Sequence, residues 1–439
     1  MHQYVERLVD LTDPDSNKIY NMSDEEAQRR ILNGTPEEVR EIDGSFALIA
    51  KKGKMVRMAR SLDHPLRYFL AKRSEGPALV VADRIDTIYD WLKENNFDDQ
   101  FHPSYTRMVP AHFVVEIQLL GCPDPNPVYT RFFDPPSGTL PTDLDEIGRL
   151  YIGKLANEIQ KWLKHLPEDV PVGVSFSGGI DSGSVFLVTY HLMQKMGMNP
   201  GRLKAFTLDL GNGPDRDQSY QFLNKLGLSL FLEPIEADRS QLNVEETIRI
   251  VEDYKPLDIQ SATMSIALFK GIHARYPEWQ FMLDGEGGDE NLRDYPIDAN
   301  PELTIRSIIN NRMLYHEGWG VDKIKHSLTF SGGLSRSYTR SYATAKHMGF
   351  DSFSPYTRPD VIEVAESIPF IDLTEYNEDK LYSLKGEVVS RGVKAITGMD
   401  MPVFEKRRFQ HGAINENQLQ ELLPNREAQY RRTFQMMYL

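Results

Sequence analysis

The chain has one cysteine in 439 residues, Cys122, so no internal disulfide can form. Its 11 histidines do not join that cysteine in any zinc-type spacing, and the pattern fits a reducing, cytoplasmic compartment. Long apolar runs are missing as well. Nothing approaches the roughly 18 consecutive apolar residues of a spanning helix, and Met1-His-Gln-Tyr-Val-Glu-Arg7 lacks the basic-then-apolar order of a secretory signal. No membrane partner is expected. Positive charge is in deficit: 50 Lys and Arg face 64 Asp and Glu, a net −14. That average field repels nucleic acid, so no nucleic-acid partner is expected either, although a local basic cleft can still hold a phosphate. Repeats and low-complexity tracts are absent. What remains, 40% hydrophobic and 26% charged residues, is globular composition with room for two or three domains.

Residues 41–133 read as β-rich. Gly44-Ser-Phe-Ala-Leu-Ile-Ala50 and Met55-Val-Arg-Met-Ala59 flank a Lys-Lys-Gly-Lys turn, and Tyr68-Phe-Leu-Ala71, Ala78-Leu-Val-Val-Ala82 and His112-Phe-Val-Val-Glu-Ile117 are further strand-length runs, suggesting an antiparallel sheet. Ser23–Asn33 reads as a helix. Asp134-Pro-Pro-Ser-Gly-Thr-Leu-Pro141 places three prolines and a glycine in eight residues, which no helix or central strand tolerates. The expected division is therefore a domain at 1–133, a linker at 134–143 and a domain at 144–439. In the latter, apolar residues from Leu144 to Leu166 recur near helical spacing, and Val170–Phe176 reads as a buried strand. Helices at Ser182–Lys195, Ser219–Leu226 and Ala262–Ala274 then alternate with strands at Leu203–Leu208, Leu228–Leu232 and Gln280–Leu283. That alternation predicts an α/β domain with a doubly wound parallel sheet, followed by a helical C-terminal part.

Strand Val170–Phe176 opens into Ser177-Gly178-Gly179-Ile180-Asp181-Ser182 and then into a helix, so the loop lies at a strand's carboxyl end and a helix's amino end. Anions bind there: glycines allow close backbone approach, while helix-start N–H groups and the two serine hydroxyls donate to phosphate oxygens. The loop has no lysine, unlike a P-loop. It carries Asp181, which repels phosphate unless a divalent cation intervenes, so Asp181 is a candidate Mg²⁺ ligand. Phe281-Met-Leu-Asp-Gly285-Glu286-Gly287-Gly288-Asp289-Glu290 repeats the plan, and in a parallel sheet Asp289 can share the cation with Asp181. Phe330-Ser-Gly-Gly-Leu-Ser335 echoes the first loop without its aspartate and reads as a turn.

The Ser-Gly-Gly-Ile-Asp-Ser loop followed by Asp-Gly-Glu-Gly-Gly-Asp-Glu resembles the synthetase domain of the class B asparagine synthetase and β-lactam synthetase superfamily, a branch of the ATP pyrophosphatases. The resemblance extends to Gly44-Ser-Phe-Ala-Leu and to Arg60-Ser-Leu-Asp-His-Pro-Leu-Arg-Tyr-Phe69, similar to segments of the family's glutaminase domain. It implies that residues 1–133 form a truncated, degenerate N-terminal-nucleophile-like domain. Glu405-Lys406-Arg-Arg-Phe-Gln-His-Gly412 is similar to the segment carrying a catalytic lysine, which makes Lys406 the candidate; read as charge pattern alone, it is one cation of a solvated run. Lys385 resembles a second, phosphate-contacting lysine. Leu208, in Ala205-Phe-Thr-Leu208, matches an adenine-contacting backbone segment, and Glu286 is placed to orient the amine or take its proton. ATP and pyrophosphate would then meet Ser177, Gly178, Gly179, Asp181, Ser182, Leu208, Gly285 and Lys385, with Mg²⁺ on Asp181 and Asp289.

The resemblance implies that ATP activates a carboxylate to an acyl-adenylate, releasing pyrophosphate, and that an amine then displaces AMP to form an amide. Glutamine-dependent members begin with a nucleophilic cysteine, whereas this chain has none before Cys122. The expectation is a ligase without its own glutaminase activity, acting in a small-molecule or peptide tailoring pathway on a small-molecule or peptide carboxylate and an amine donor. A homo-oligomer or a separate amine-supplying protein stays open as a partner. Gln260 stands where asparagine synthetases generally show arginine. An asparagine synthetase fed by ammonia or a separate glutaminase is the alternative, and a non-catalytic nucleotide-binding regulator is the alternative of another class. Lys325, Arg336, Arg340 and Lys346, in a stretch without acids, read first as a solvated basic helix face and second as contacts for an anionic substrate.

Overall fold

The computed structural model describes residues 7–73, 76–120, 126–211, 213–295, 297, 303–313, 335–404, 412–414 and 416–438. They fall into two compact units, one drawn from Met1–Asp134, Leu314–Tyr338 and Phe434–Leu439, the other from Pro135–Met313 and Thr339–Thr433.

The first unit is built on alternation. Strands β1 (Arg7–Asp10), β2 (Lys18–Ile19), β3 (Gly44–Ser45), β4 (Ala47–Lys52), β5 (Met55–Arg60), β6 (Arg67–Arg73), β7 (Gly76–Ala82), β8 (Arg107–Met108), β9 (Phe113–Gln118) and β10 (Val128–Arg131) form two four-stranded sheets, β1-β7-β6-β8 and β10-β9-β5-β4, and a β2-β3 ribbon. Tyr68, Leu79 and Val81 face Ile49, Val56, Met58, Val115 and Ile117 in one core. Their neighbours Phe69, Ala71, Val80 and Ala82 point the other way, onto Ile88 and Leu92 of the helix Ile85–Glu94. The pairing is not wholly antiparallel, because β1 lies parallel to β7. The Arg60 segment forms a buried polar knot: Arg60 donates to the carbonyls of Ser61, Leu62 and His64 at 3.2 Å, and Asp63 accepts from Ser61 Oγ at 2.6 Å.

The second unit holds a parallel sheet of five strands, β11 (Val172–Ser175), β12 (Leu203–Asp209), β13 (Leu232–Glu236), β14 (Phe281–Leu283) and β15 (Asp351–Phe353), in the order β13-β12-β11-β14-β15. This is the expected α/β architecture. The chain winds outward from β11 through β12 to β13, then returns to start β14 on the other side. The order therefore reverses between β11 and β14, and in open α/β sheets ligands bind outside the carboxyl ends of the strands at such a point. The strand expected at Leu228–Leu232 is displaced: Ser229–Phe231 is a 3₁₀ turn and the ladder begins at Leu232. Pro234 and the flanking glutamates are tolerated there because β13 is an edge strand, paired only with β12. Helix Ile180–Lys195 follows β11, and the long helix Glu378–Thr397 of the helical C-terminal part packs against helix Leu144–His165. Among the described residues no helix is long and apolar enough to cross a membrane.

Candidate active site

Both glycine-rich loops lie at the carboxyl ends of neighbouring strands, Ser177–Gly179 after β11 and Asp284–Gly287 after β14. Gly178 has φ +69°, and a Cβ there would meet Ser219 N at 2.9 Å, so the turn requires glycine. The two serine hydroxyls are engaged within the loop. Ser177 N donates to Ser182 Oγ at 3.2 Å, the hydroxyls lie 3.2 Å apart, and Gly179 N donates to Ser177 Oγ at 3.3 Å. They shape the loop, and at most one of their two protons is left for a ligand. Gly179 caps helix Ile180–Lys195 without any side-chain oxygen, and the positive end of such a helix suits an anion.

The second loop is pressed onto the first. A Cβ on Gly285 would lie 2.7 Å from Ser182 N, and one on Gly288 would overlap the Asp181 carboxyl. That approach brings Asp181 and Asp289 to a common point, and Lys385, from the helix Glu378–Thr397, reaches it. Its Nζ lies 2.5 Å from Asp181 Oδ2, is hydrogen-bonded to Asp289 Oδ1, and lies 3.5 Å from Asp294 Oδ2. Burial works against the ammonium, but Asp181, Asp289 and Asp294 outweigh it and hold its pKa well above the usual lysine range. Among the described residues no three His, Cys, Asp or Glu side chains form a metal cage by themselves. Two carboxylates converging from two loops nonetheless fit Mg²⁺, which is commonly held by one or two carboxylates plus substrate phosphates and water.

A backing network ties the carboxyl-edge loops together. Ser184 Oγ donates to Asp181 O at 2.8 Å and lies 2.6 Å from the Tyr356 hydroxyl, while Asn291 Nδ2 donates to Tyr356 O at 3.0 Å. Asp284 accepts from Glu286 N and Ser354 Oγ, both at 2.9 Å, and burial pushes its carboxyl up to about 7. Burial likewise pushes Glu286 up to about 8; Arg340 opposes the shift, and Asp284, Glu290 and Asp289 reinforce it. Leu208 lies at the carboxyl end of β12 with its side chain in the hydrophobic core, so only its backbone is available to a ligand. Lys406 and Lys325 lie outside the described residues.

Arg340 differs from the reading of a solvated face. It sits on a π-helical turn, Tyr338–Tyr342, with its side chain 15% exposed and its Nε donating to Asp258 Oδ1 at 2.9 Å. Gln260 is buried, and its amide donates to Leu423 O at 2.8 Å. The Arg340–Asp258 pair, Asp294 and Tyr356 had no part in the motif reading, and Asp284 stood in the motif without a role. Asp294 alone carried a local signal, as an acid one turn beyond Asp289 whose N–H donates to Asp289 O at 3.0 Å.

Strand order and converging loops define a doubly wound α/β unit with its two glycine-rich loops at the switch point, where open α/β sheets bind ligands. Residues 155–348 match the family model described as asparagine synthase. That match, with plant asparagine synthetases among the proteins the chain is similar to, supports the resemblance to the class B asparagine synthetase-like superfamily. It is 26% identical over 223 residues to the nodule glutamine-hydrolyzing asparagine synthetase of Pisum sativum, covering 50% of this chain and 35% of that protein. It is 30% identical over 140 residues to amidase chry2 of Gibberella zeae, covering 30% of this chain and 20% of that protein. The matches thus span about a fifth to a third of these relatives' lengths. A solved structure of the U34-tRNA thiolase NcsA from Methanococcus maripaludis aligns over 66% of this chain and 80% of that one, at 12% identity and a TM-score of 0.27. A score that low supports no argument, and the fold rests on the strand order.

Proposed function

We propose that the protein is an ATP-dependent ligase that adenylates a substrate carboxylate and joins the acyl group to an amine. In the first step a carboxylate oxygen attacks the α-phosphorus and pyrophosphate leaves; in the second the amine displaces AMP and gives up a proton. The observation carrying this reading is the convergence of Asp181, Asp289 and Lys385 where the strand order reverses. The helix start at Gly179 and the Ser177–Gly179 backbone receive phosphates, and Lys385 meets the pyrophosphate. Mg²⁺ on Asp181 and Asp289, when bound, supplies the charge that neutralises the departing pyrophosphate. Glu286 accepts the amine proton, which requires it within about 3 Å of the nitrogen. Lys406 is the second cation for the transition state.

The amine comes from a source other than a glutaminase site in this chain, whose one cysteine is Cys122. The carboxylate is a small-molecule or peptide acid. Gln260, committed to Leu423 O, argues against aspartate. The test is product analysis by mass spectrometry with Mg²⁺ and ATP, using aspartate plus ammonium in one mixture and a metabolite extract in another. AMP and a new amide mass only with extract is the expected result. Asparagine in the first mixture favours the synthetase alternative, and absence of AMP and pyrophosphate from both mixtures overturns the proposal.

A further inference from the structure

Lys385 is bound in an unusual way for a residue read as a phosphate ligand. Its side chain is 3% exposed and its ammonium is taken up by three carboxylates from the second unit's two glycine-rich segments, Asp181 from the first and Asp289 and Asp294 from the second. Of the ammonium's three N–H donors, two go to Asp181 and Asp289, and Asp294 adds an ion pair at 3.5 Å. The point it occupies is also where the Asp181 and Asp289 carboxylates meet. A divalent cation on the same two groups would lie within a few ångströms of the ammonium, and two cations that close repel strongly in a desolvated setting. The two occupancies therefore compete for Asp181 and Asp289.

We propose that Lys385 is a resident stand-in for the divalent cation: its ammonium holds Asp181 and Asp289 together when no metal is bound, and yields the position to the metal that arrives with ATP. The proposal rests on the preceding reading of Asp181 and Asp289 as metal ligands. The lysine is suited to the exchange, because its charge sits on a flexible four-carbon stem that can pivot from the carboxylates to the incoming phosphates. The exchange replaces a charge of one with a charge of two, and the phosphates then bind the released ammonium. Without the lysine, facing carboxylates on two loops would repel one another. Metal alone thus meets an occupied position, ATP alone meets acids, and only the pair together leaves the carboxylates with the metal and the phosphates with the ammonium. Metal and nucleotide consequently bind with strong mutual enhancement, and that coupling is reciprocal.

The experiment is Mn²⁺ binding to the full chain, followed by the paramagnetic signal of free Mn²⁺, with and without a non-hydrolysable ATP analogue. Wild type should bind Mn²⁺ weakly alone and much more tightly with the analogue. Lys385→Met should bind Mn²⁺ about tenfold or more tightly than wild type without nucleotide, because the competing charge is gone. Its thermal midpoint should fall in chelator and recover with Mn²⁺. Lys385→Gln, also uncharged, gives the same readout if the methionine variant does not fold. Unchanged or weaker Mn²⁺ binding in the uncharged variants overturns the proposal. With the analogue, wild type must bind Mn²⁺ and Asp289→Asn must lose it. Failure there removes the metal reading itself, whereas success there without tightening in the lysine variants overturns the stand-in alone.

Discussion

Raising the pH through about 8 should switch on amide formation, because that is where the Glu286 carboxyl ionises. Burial raises it, Arg340 pulls it back, and Asp284, Glu290 and Asp289 push it further up. A carboxyl accepts a proton only when ionised, so activity follows the ionised fraction: roughly a tenth at pH 7, about half at pH 8 and about nine tenths at pH 9. The acceptor step should therefore rise close to tenfold between pH 7 and 9. The amine is also deprotonated as pH rises, which steepens the raw profile. Glu286→Gln isolates the two effects, since it keeps the amine's limb and loses the carboxyl's. The ratio of wild-type to variant rate should climb through pH 8 and level off above it, at roughly 10²- to 10⁴-fold, the usual worth of a positioned base. The assay is single-turnover amide formation from acyl-adenylate already formed on the protein. Pyrophosphate–ATP exchange, which reports adenylation alone, should lack this limb. A ratio that stays flat from pH 6.5 to 9.5 would show that Glu286 takes no proton.

Asp284 gives a stability prediction of opposite sign. Its carboxyl titrates near 7 in the fold against an ordinary 3.8. Between those values the unfolded chain has already released the proton, so stability falls as pH rises; the gap of about three pH units is worth about 4 kcal/mol in full, of which roughly 2 to 3 is lost between pH 5 and 9. Asp284→Asn should remove that slope in urea unfolding, and parallel curves for variant and wild type refute it. Gly288→Ala would drive a methyl group into the Asp181 carboxyl, which Lys385 holds in place. It should lower stability by about 1 to 3 kcal/mol and weaken Mg·ATP binding in calorimetry, and an unaltered melting point with unaltered affinity contradicts the close packing of the two loops.

The loops were legible because each is local: an apolar strand, glycines and an acid within ten residues specify a turn that only one edge of a parallel sheet can present. Their adjacency was legible too, because alternating strands and helices imply a parallel sheet, whose crossovers place all such turns on one edge. What the sequence hid depends on partners that only the folded chain brings together. Arg340 looked like one cation of a solvated helix because its partner Asp258 lies 82 residues away, and nothing in either segment signals the other. The two serine hydroxyls, which the motif offers to phosphate, also lie within hydrogen-bond reach of one another, a closure set by the loop's exact curl. Lys385 was located by resemblance as a phosphate contact, but its ion pairs with three carboxylates follow only when two loops and a distant helix are assembled.

That assembly accounts for what the composition leaves puzzling, a chain of net −14 whose most acidic loop borders the crevice proposed for a polyanionic nucleotide. Asp181, Asp284, Glu286, Asp289, Glu290 and Asp294 would repel phosphate if all were ionised and bare. Burial keeps Glu286 largely and Asp284 about half protonated at pH 7, Lys385 binds Asp181, Asp289 and Asp294, and Arg340 offsets part of the charge felt by Glu286 and Glu290. Five of these six acids thus fall into a pair whose ionisation desolvation holds back and a trio held by the Lys385 ammonium. Such a division suits a two-step reaction, because the first step needs cations beside the phosphates while the second needs a base that ionises near working pH.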